Sequence, residues 1–310
     1  MKIIFMGTPD YAALALEALL EAGHEVTAVV TQPDRAKGRS GQVQCTPVKE
    51  CAVRHGIAVL QPVRVKAPEA VEELKKYEAD VYVVAAFGQI LSKEILALPR
   101  FGCVNIHASL LPKYRGAAPI NQCIIDGEQE TGVTIMQMDA GIDTGDILTQ
   151  KKVIIEDKET AETLFDKLSQ AGAALIVETL PMIERGEITP VKQDESLAGY
   201  VKMMDKSRGK IDWASDAVSI ERLVRGLNPW PSAYTSCQGK TVKIWRSDVV
   251  VAEAAQQPGT IVSVGKDFFD VACGSGNLRI YELQLEGKKR MDTKSFLLGN
   301  PWKAGMLLGE

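Results

Sequence analysis

The chain predicts an α/β fold: a doubly wound, mostly parallel sheet followed by a second, smaller β-rich domain. Three observations carry that reading. Strand and helix patterns alternate through the first half, the rhythm of a parallel sheet covered on both faces. After about residue 205 the pattern turns to short β-rich runs between Gly turns, as in a small antiparallel barrel or sandwich. At 310 residues the chain also exceeds one typical domain and suits two.

The elements follow in order. Lys2–Met6 is an apolar strand, Ala12–Ala22 a helix rich in Ala and Leu, and Glu25–Thr31 a second strand. Pro47–Gly56 fits a helix, Ile57–Leu60 a strand, Pro68–Tyr77 a helix, and Val81–Ala86 a buried strand. Phe101–His107 is an apolar strand ending in polar residues, which Pro112 and Gly116 turn into a loop. Ala161–Glu184 reads as one long amphipathic helix with Leu164, Leu168, Leu175, Val177 and Leu180 on its apolar side. Beyond it, a helix at Ile220–Arg225 precedes β-rich runs at Val242–Trp245, Gly259–Val264, Phe268–Cys273 and Leu278–Leu285. The expected boundary separates residues 1–205, with a linker from about 190, from residues 206–310.

Composition sets limits. With 45% apolar and 25% charged residues the chain is an ordinary globular protein, and no apolar run approaches the roughly 20 residues of a membrane helix. It opens directly on a strand, so no targeting peptide is expected. Cys45, Cys51, Cys103, Cys123, Cys237 and Cys273 form no C-x-x-C pair and read as reduced thiols of a cytoplasmic protein, with no metal site. The net charge of −4 is uneven: residues 206–310 carry 15 Lys and Arg against 11 Asp and Glu, a net +4. That is a weak hint of a polyanionic partner.

Asn105-Ile106-His107 is the most informative run. A strand puts residues two apart on one face, so an amide and an imidazole project together, able to hold a carbonyl oxygen and handle a proton. Further on, Thr131–Met138 breaks into two Gly turns bearing Asp139, Asp143 and Asp146, and a carboxylate there can approach His107. His24 and His55 lack such a setting and read as structural. The turn Gly7-Thr8-Pro9-Asp10 has one glycine where a dinucleotide fingerprint needs G-x-G-x-x-G, so no NAD is expected; Thr8 and Asp10 read as helix caps.

Asn105-Ile-His107-Ala-Ser109-Leu-Leu-Pro112-Lys-Tyr-Arg-Gly116, Asp143-Thr-Gly145-Asp146 and Met6-Gly7-Thr8-Pro9-Asp10 resemble the folate-dependent formyltransferases, and most closely the branch acting on methionyl-tRNA. Thr31-Gln-Pro-Asp-Arg, Ile211-Asp212-Trp213 and Asn228-Pro-Trp-Pro231 extend the likeness nearly end to end. The resemblance implies a Rossmann-like catalytic domain, an OB-like β-barrel that binds tRNA, and 10-formyltetrahydrofolate as formyl donor. It implies a transferase of protein biosynthesis, formylating methionyl-initiator tRNA for translation initiation, and a monomer without membrane attachment.

On this reading Asn105, His107 and Asp143 are catalytic, and Ser109, Leu110, Leu111 and Pro112 line the folate pocket; core packing is the competing reading for the two leucines. Phe87, Gly88, Gln89 and Ile90 form a second wall. Arg115 serves either the folate's anionic tail or the fold. Arg39 and Lys37, in a basic loop, and Lys206, Arg208 and Lys210 are the expected tRNA contacts. The alternative is a formyltransferase for a sugar nucleotide or other small amine, which needs neither the barrel nor the loop.

Overall fold

The computed structural model describes residues 1–36, 43–252 and 256–310. Two compact units emerge. One holds Met1–Pro119, Glu130–Ile154 and Phe165–Val201; the other holds Ile120–Gln129, Ile155–Leu164 and Lys202–Glu310. The second unit therefore takes two stretches from within residues 1–205.

The chain begins with β1 (Lys2–Gly7), α1 (Asp10–Glu21) and β2 (Glu25–Val30). A short pair, β3 (Arg35–Ala36) and β4 (Val43–Gln44), precedes α2 (Pro47–Arg54) and β5 (Ala58–Leu60). Next come α3 (Pro68–Leu74), β6 (Val81–Ala85), α4 (Lys93–Leu96), β7 (Cys103–His107) and β8 (Arg115–Gly116). After α5 (Pro119–Asp126) the chain makes an antiparallel hairpin, β9 (Glu130–Gln137) and β10 (Ile147–Ile154), then α6 (Ala161–Glu184) and β11 (Tyr200–Val201).

The main sheet runs β10-β9-β7-β6-β1-β2-β5. From β1 it grows one way through β2 and β5 and the other way through β6 and β7, all parallel. Parallel strands are apolar on both faces because helices cover both: Ile3, Ile4, Phe5 and Met6 are all fully buried. Reversal of direction beside β1 opens a crevice at the strand ends, the usual ligand position in such sheets. Thr8 does not cap α1; its hydroxyl donates to the Phe87 carbonyl at 3.2 Å, and Pro9 occupies the cap position. Asp10 sits in the first turn, where a negative charge suits the helix dipole. In α6 the leucines at 164, 168, 175 and 180 are buried as expected, but Ile176 and not Val177 completes the core face.

The second unit contains α7 (Ala217–Gly226), β12 (Ala233–Cys237), β13 (Lys240–Val250), β14 (Ile261–Val264), β15 (Phe269–Ala272), β16 (Asn277–Leu285), β17 (Met291–Asp292) and α8 (Thr293–Gly299). Its antiparallel sheet runs β12-β13-β16-β15-β14, with β17 on β16. The C-terminal segment spans the two edges: Leu308 N–H donates to the Gly259 carbonyl and Gly309 N–H to that of Ser236, both at 2.8 Å. A sheet whose edges are tied in this way is barrel-like. Phe269 and Phe296 fill it, each meeting the Trp302 ring edge-on. α7 lies against α5, where Asn121 Nδ2 donates to the Gly226 carbonyl at 2.7 Å; a Cβ on Gly226 would stand 2.6 Å from Ile125 Cγ1. Among the described residues no helix is long and apolar enough to cross a membrane.

Candidate active site

β7 sits between β6 and β9, with Asn105 opposite Val84 and Met136, and His107 opposite Thr134. The loop after β9 folds back over the strand and brings Asp143 to both side chains. Asp143 Oδ1 lies 3.5 Å from Asn105 Nδ2, and Oδ2 lies 3.6 Å from His107 Nδ1. His107 Nε2 faces the Tyr114 carbonyl at 2.9 Å. A carbonyl only accepts, so we assign the Nε2 proton to that bond, which leaves Nδ1 turned to the carboxylate. His107 and Asp143 retain little solvent access, with side chains 7% and 16% exposed.

The loop after His107 is tied down by its own polar groups. Ser109 is fully buried and its hydroxyl donates to the Lys113 carbonyl at 2.7 Å. Thr134 Oγ1 donates to the Ser109 carbonyl and accepts from Leu111 N–H and Gln150 Nε2. Leu111 is buried, and Leu110 lies over Gly132, where a Cβ would meet Leu110 Cδ2 at 2.5 Å. The Pro112 carbonyl accepts from Gly199 N–H.

The two open readings of Arg115 resolve in favour of the fold. Arg115 is fully buried; its guanidinium donates to both Glu195 carboxylate oxygens (3.0 and 2.7 Å), to Tyr200 Oη (2.9 Å) and to Gln193 Oε1 (2.9 Å). Those bonds raise its pKa, chiefly through Glu195, and Arg115 in turn holds the Glu195 carboxyl below its usual range. All three guanidinium nitrogens are engaged within this buried cluster, the setting of an arginine that holds the fold.

Two family models match the chain. The Formyl transferase model matches residues 1–180, and the Formyl transferase, C-terminal domain model matches residues 203–301. The chain belongs to the formyl transferase family. A methionyl-tRNA formyltransferase of Lachnospira eligens is 56% identical over 100% of both chains, and one from Agathobacter rectalis 54% identical over 96% of both. Among solved structures, an N-formyltransferase from Helicobacter canadensis, in complex with folinic acid and dTDP-3-aminofucose, matches with TM-score 0.68. It is 21% identical over 94% of this chain and 100% of its own. WlaRD, a sugar 3N-formyl transferase, matches with TM-score 0.67 at 20% identity, covering 93% of this chain and 99% of its own. These two likenesses speak for the fold.

In this formyl transferase the remaining expected residues fall in several places. Phe87 is buried, Gly88 has φ +79°, and Ile90 is 68% exposed. The Gln89 amide meets the neighbouring loop, accepting from Val65 N–H at 2.7 Å and donating to the Pro62 carbonyl at 3.1 Å. Lys206 and Arg208 occupy a short 3-10 helix with Lys210 at its end, all exposed; Arg208 donates to Gln122 Oε1 at 3.0 Å. Lys37 and Arg39 lie outside the described residues. His24 neighbours the terminal amine and His55 pairs with Glu17. Among the described residues Glu17, Cys51 and His55 offer three potential metal-ligand atoms within 4.8 Å of one another, but Glu17 is already paired with Arg54 and His55.

Sequence reasoning missed Gln193, Glu195 and Tyr200. They stand 78 to 85 residues from Arg115, and no local pattern signals so distant a partner. A buried arginine demands counter-groups, but burial of Arg115 is not readable from its neighbours.

Proposed function

We infer that this protein transfers the formyl group of 10-formyltetrahydrofolate to the amino group of methionyl-initiator tRNA. The observation that carries formyl transfer is the convergence of Asn105 and His107 on one carboxylate, Asp143. Among the described residues the Asn105 amide makes one long contact, at 3.5 Å, so an N–H remains for a ligand oxygen. Relatives 56% and 54% identical and named for methionyl-tRNA favour that acceptor over a sugar amine, whose structural counterparts share about a fifth of the residues.

The donor supplies a formyl carbon already at the oxidation level of the product, and the acceptor supplies its own amine as nucleophile. The reading therefore calls for no Ser or Cys nucleophile, metal or nicotinamide. Asn105 Nδ2 donates to the formyl oxygen as it gains charge, a contribution of about 2.7–4 kcal/mol for one such donor. Asp143 orients His107, and the pair takes the proton of the attacking nitrogen through water and returns it to the leaving nitrogen. Gly88 and the loop 109–112 border the folate. Residues 1–205 carry the chemistry, while residues 206–310 grip tRNA through Lys206, Arg208 and Lys210, with Lys37 and Arg39 reaching the acceptor arm. The protein works as a cytoplasmic monomer.

The test is whether purified protein consumes 10-formyltetrahydrofolate when charged methionyl initiator tRNA is added. Turnover with that substrate and none with a free amine or amino-sugar nucleotide is expected; turnover only with the sugar would overturn the reading.

A further inference from the structure

Asp143 has φ +53°, a left-handed conformation that disfavours non-Gly residues and persists only where its surroundings over-determine it. The determinant lies 50 residues on. Gln193 Nε2 donates to the Asp143 carbonyl at 2.8 Å and to the Gly145 carbonyl at 2.7 Å, so one amide closes the turn from both sides. Its Oε1 accepts from Arg115 Nε at 2.9 Å, and that bond fixes which way the amide faces: oxygen to the guanidinium, both N–H groups to the loop. Val191 sets Gln193 in register by exchanging backbone bonds with Ile147 at 2.8 and 2.9 Å.

We propose that Gln193 is a positioning residue: it holds the 143–145 turn so that the Asp143 carboxylate points between Asn105 and His107. Its hold on the turn is made through the backbone carbonyls of Asp143 and Gly145. The proposal rests on the assignment of Asp143 to the reaction.

The side-chain chemistry separates this role from plain packing. Gln193→Glu keeps the size and removes the two donors, setting a carboxylate against two carbonyls. Gln193→Met keeps the volume and removes all polarity. Both variants, and Gln193→Ala, are expected to lower kcat about 10- to 100-fold, the cost of a misplaced reacting group. The KM values for folate donor and charged tRNA should stay within about twofold, because uniform binding is untouched. Gln193→Asn, too short to reach both carbonyls, should be no better.

A double-mutant cycle with Asp143→Ala gives the decisive readout. If Gln193 works through Asp143, adding Gln193→Ala to Asp143→Ala lowers kcat no further. Losses that multiply, or a Gln193→Met enzyme with normal kcat, would overturn the proposal. An Asp143→Ala enzyme with normal kcat would instead remove the active-site reading itself, so the two failures are distinguishable. Circular dichroism and melting of each variant guard against loss of fold, and the Met variant retains bulk should the Ala variant fail to fold.

Discussion

The backbone N–H of Gly116 donates to Asp143 Oδ2 at 2.8 Å, joining two loops that are 27 residues apart. The same oxygen faces His107 Nδ1, so the carboxylate is held from one side by a fixed backbone donor. Pre-set geometry of that kind lets a proton move without reorganisation of its acceptor.

Replacement of Asn105 and His107 tests the site directly. Asn105→Ala should lower kcat about 10²–10³-fold and His107→Ala about 10²–10⁴-fold, with tRNA binding and melting temperature little changed. The Asn105→Ala/His107→Ala double variant should lose less than the product of the two, as for groups acting in one transition state. Single-turnover kinetics with charged tRNA measures this; near-normal turnover in His107→Ala would remove it from the reaction.

Gly145 tests the turn. A Cβ there would stand 1.6 Å from the Gln137 carbonyl oxygen, so Gly145→Ala must displace the Asp143 loop. A kcat at least about tenfold lower is expected, together with about 1–3 kcal/mol of destabilisation. Gly186→Ala is the control: φ is +67° but nothing lies within 4 Å, so it should cost about 1 kcal/mol and leave kcat unchanged. Equal kinetic effects of the two would argue against the turn's role.

Acid should weaken the Arg115 clamp. Arg115 holds the Glu195 carboxyl below its usual range. The contribution is therefore fully present above the ordinary Glu value of about 4.3 and is lost as pH falls through the lower folded value. Melting curves between pH 3 and 6 should show wild type above Glu195→Gln at the upper end and the two converging toward the lower. A constant gap across that range would contradict the linkage.

Thiol chemistry should single out one cysteine. Cys45 is exposed, and the other five are buried. Burial pushes the thiols of Cys103 and Cys273 up to about 12 and that of Cys51 to about 11, which starves them of the reactive thiolate. An aromatic disulfide reagent should label one thiol quickly in native protein and all six after denaturation, and Cys45→Ser should abolish the fast phase. Several fast thiols would show that the buried sites open.

Much of the architecture was legible because it rests on periodicity. The all-apolar run at Ile3–Met6 and the spaced leucines of Ala161–Glu184 advertise a sheet strand and a long helix within a residue or two. α5, eight residues bounded by a proline and a glycine, gives too short a pattern to stand out, and β12 hides beside the turn-forming Pro231 and Ser232. At the site, Asn105 and His107 were readable because strand geometry alone pairs them. Asp143 was readable as one of three acidic turn residues, Asp139 and Asp146 being the others. What chose between them is tertiary: Asp139 binds its own turn through Gly141 and Thr144, and Asp146 meets Lys192.

The chain passes from the first unit to the second at residue 120, returns at 130, passes again at 155, returns at 165 and crosses last at 202. A gene spliced at residue 202 would therefore not exchange one inheritable module for another. The recipient would keep residues 120–129 and 155–164 cut to fit the discarded part, with Ile125 still shaped to lie under Gly226. Chimeras between relatives should work only when all three stretches travel together.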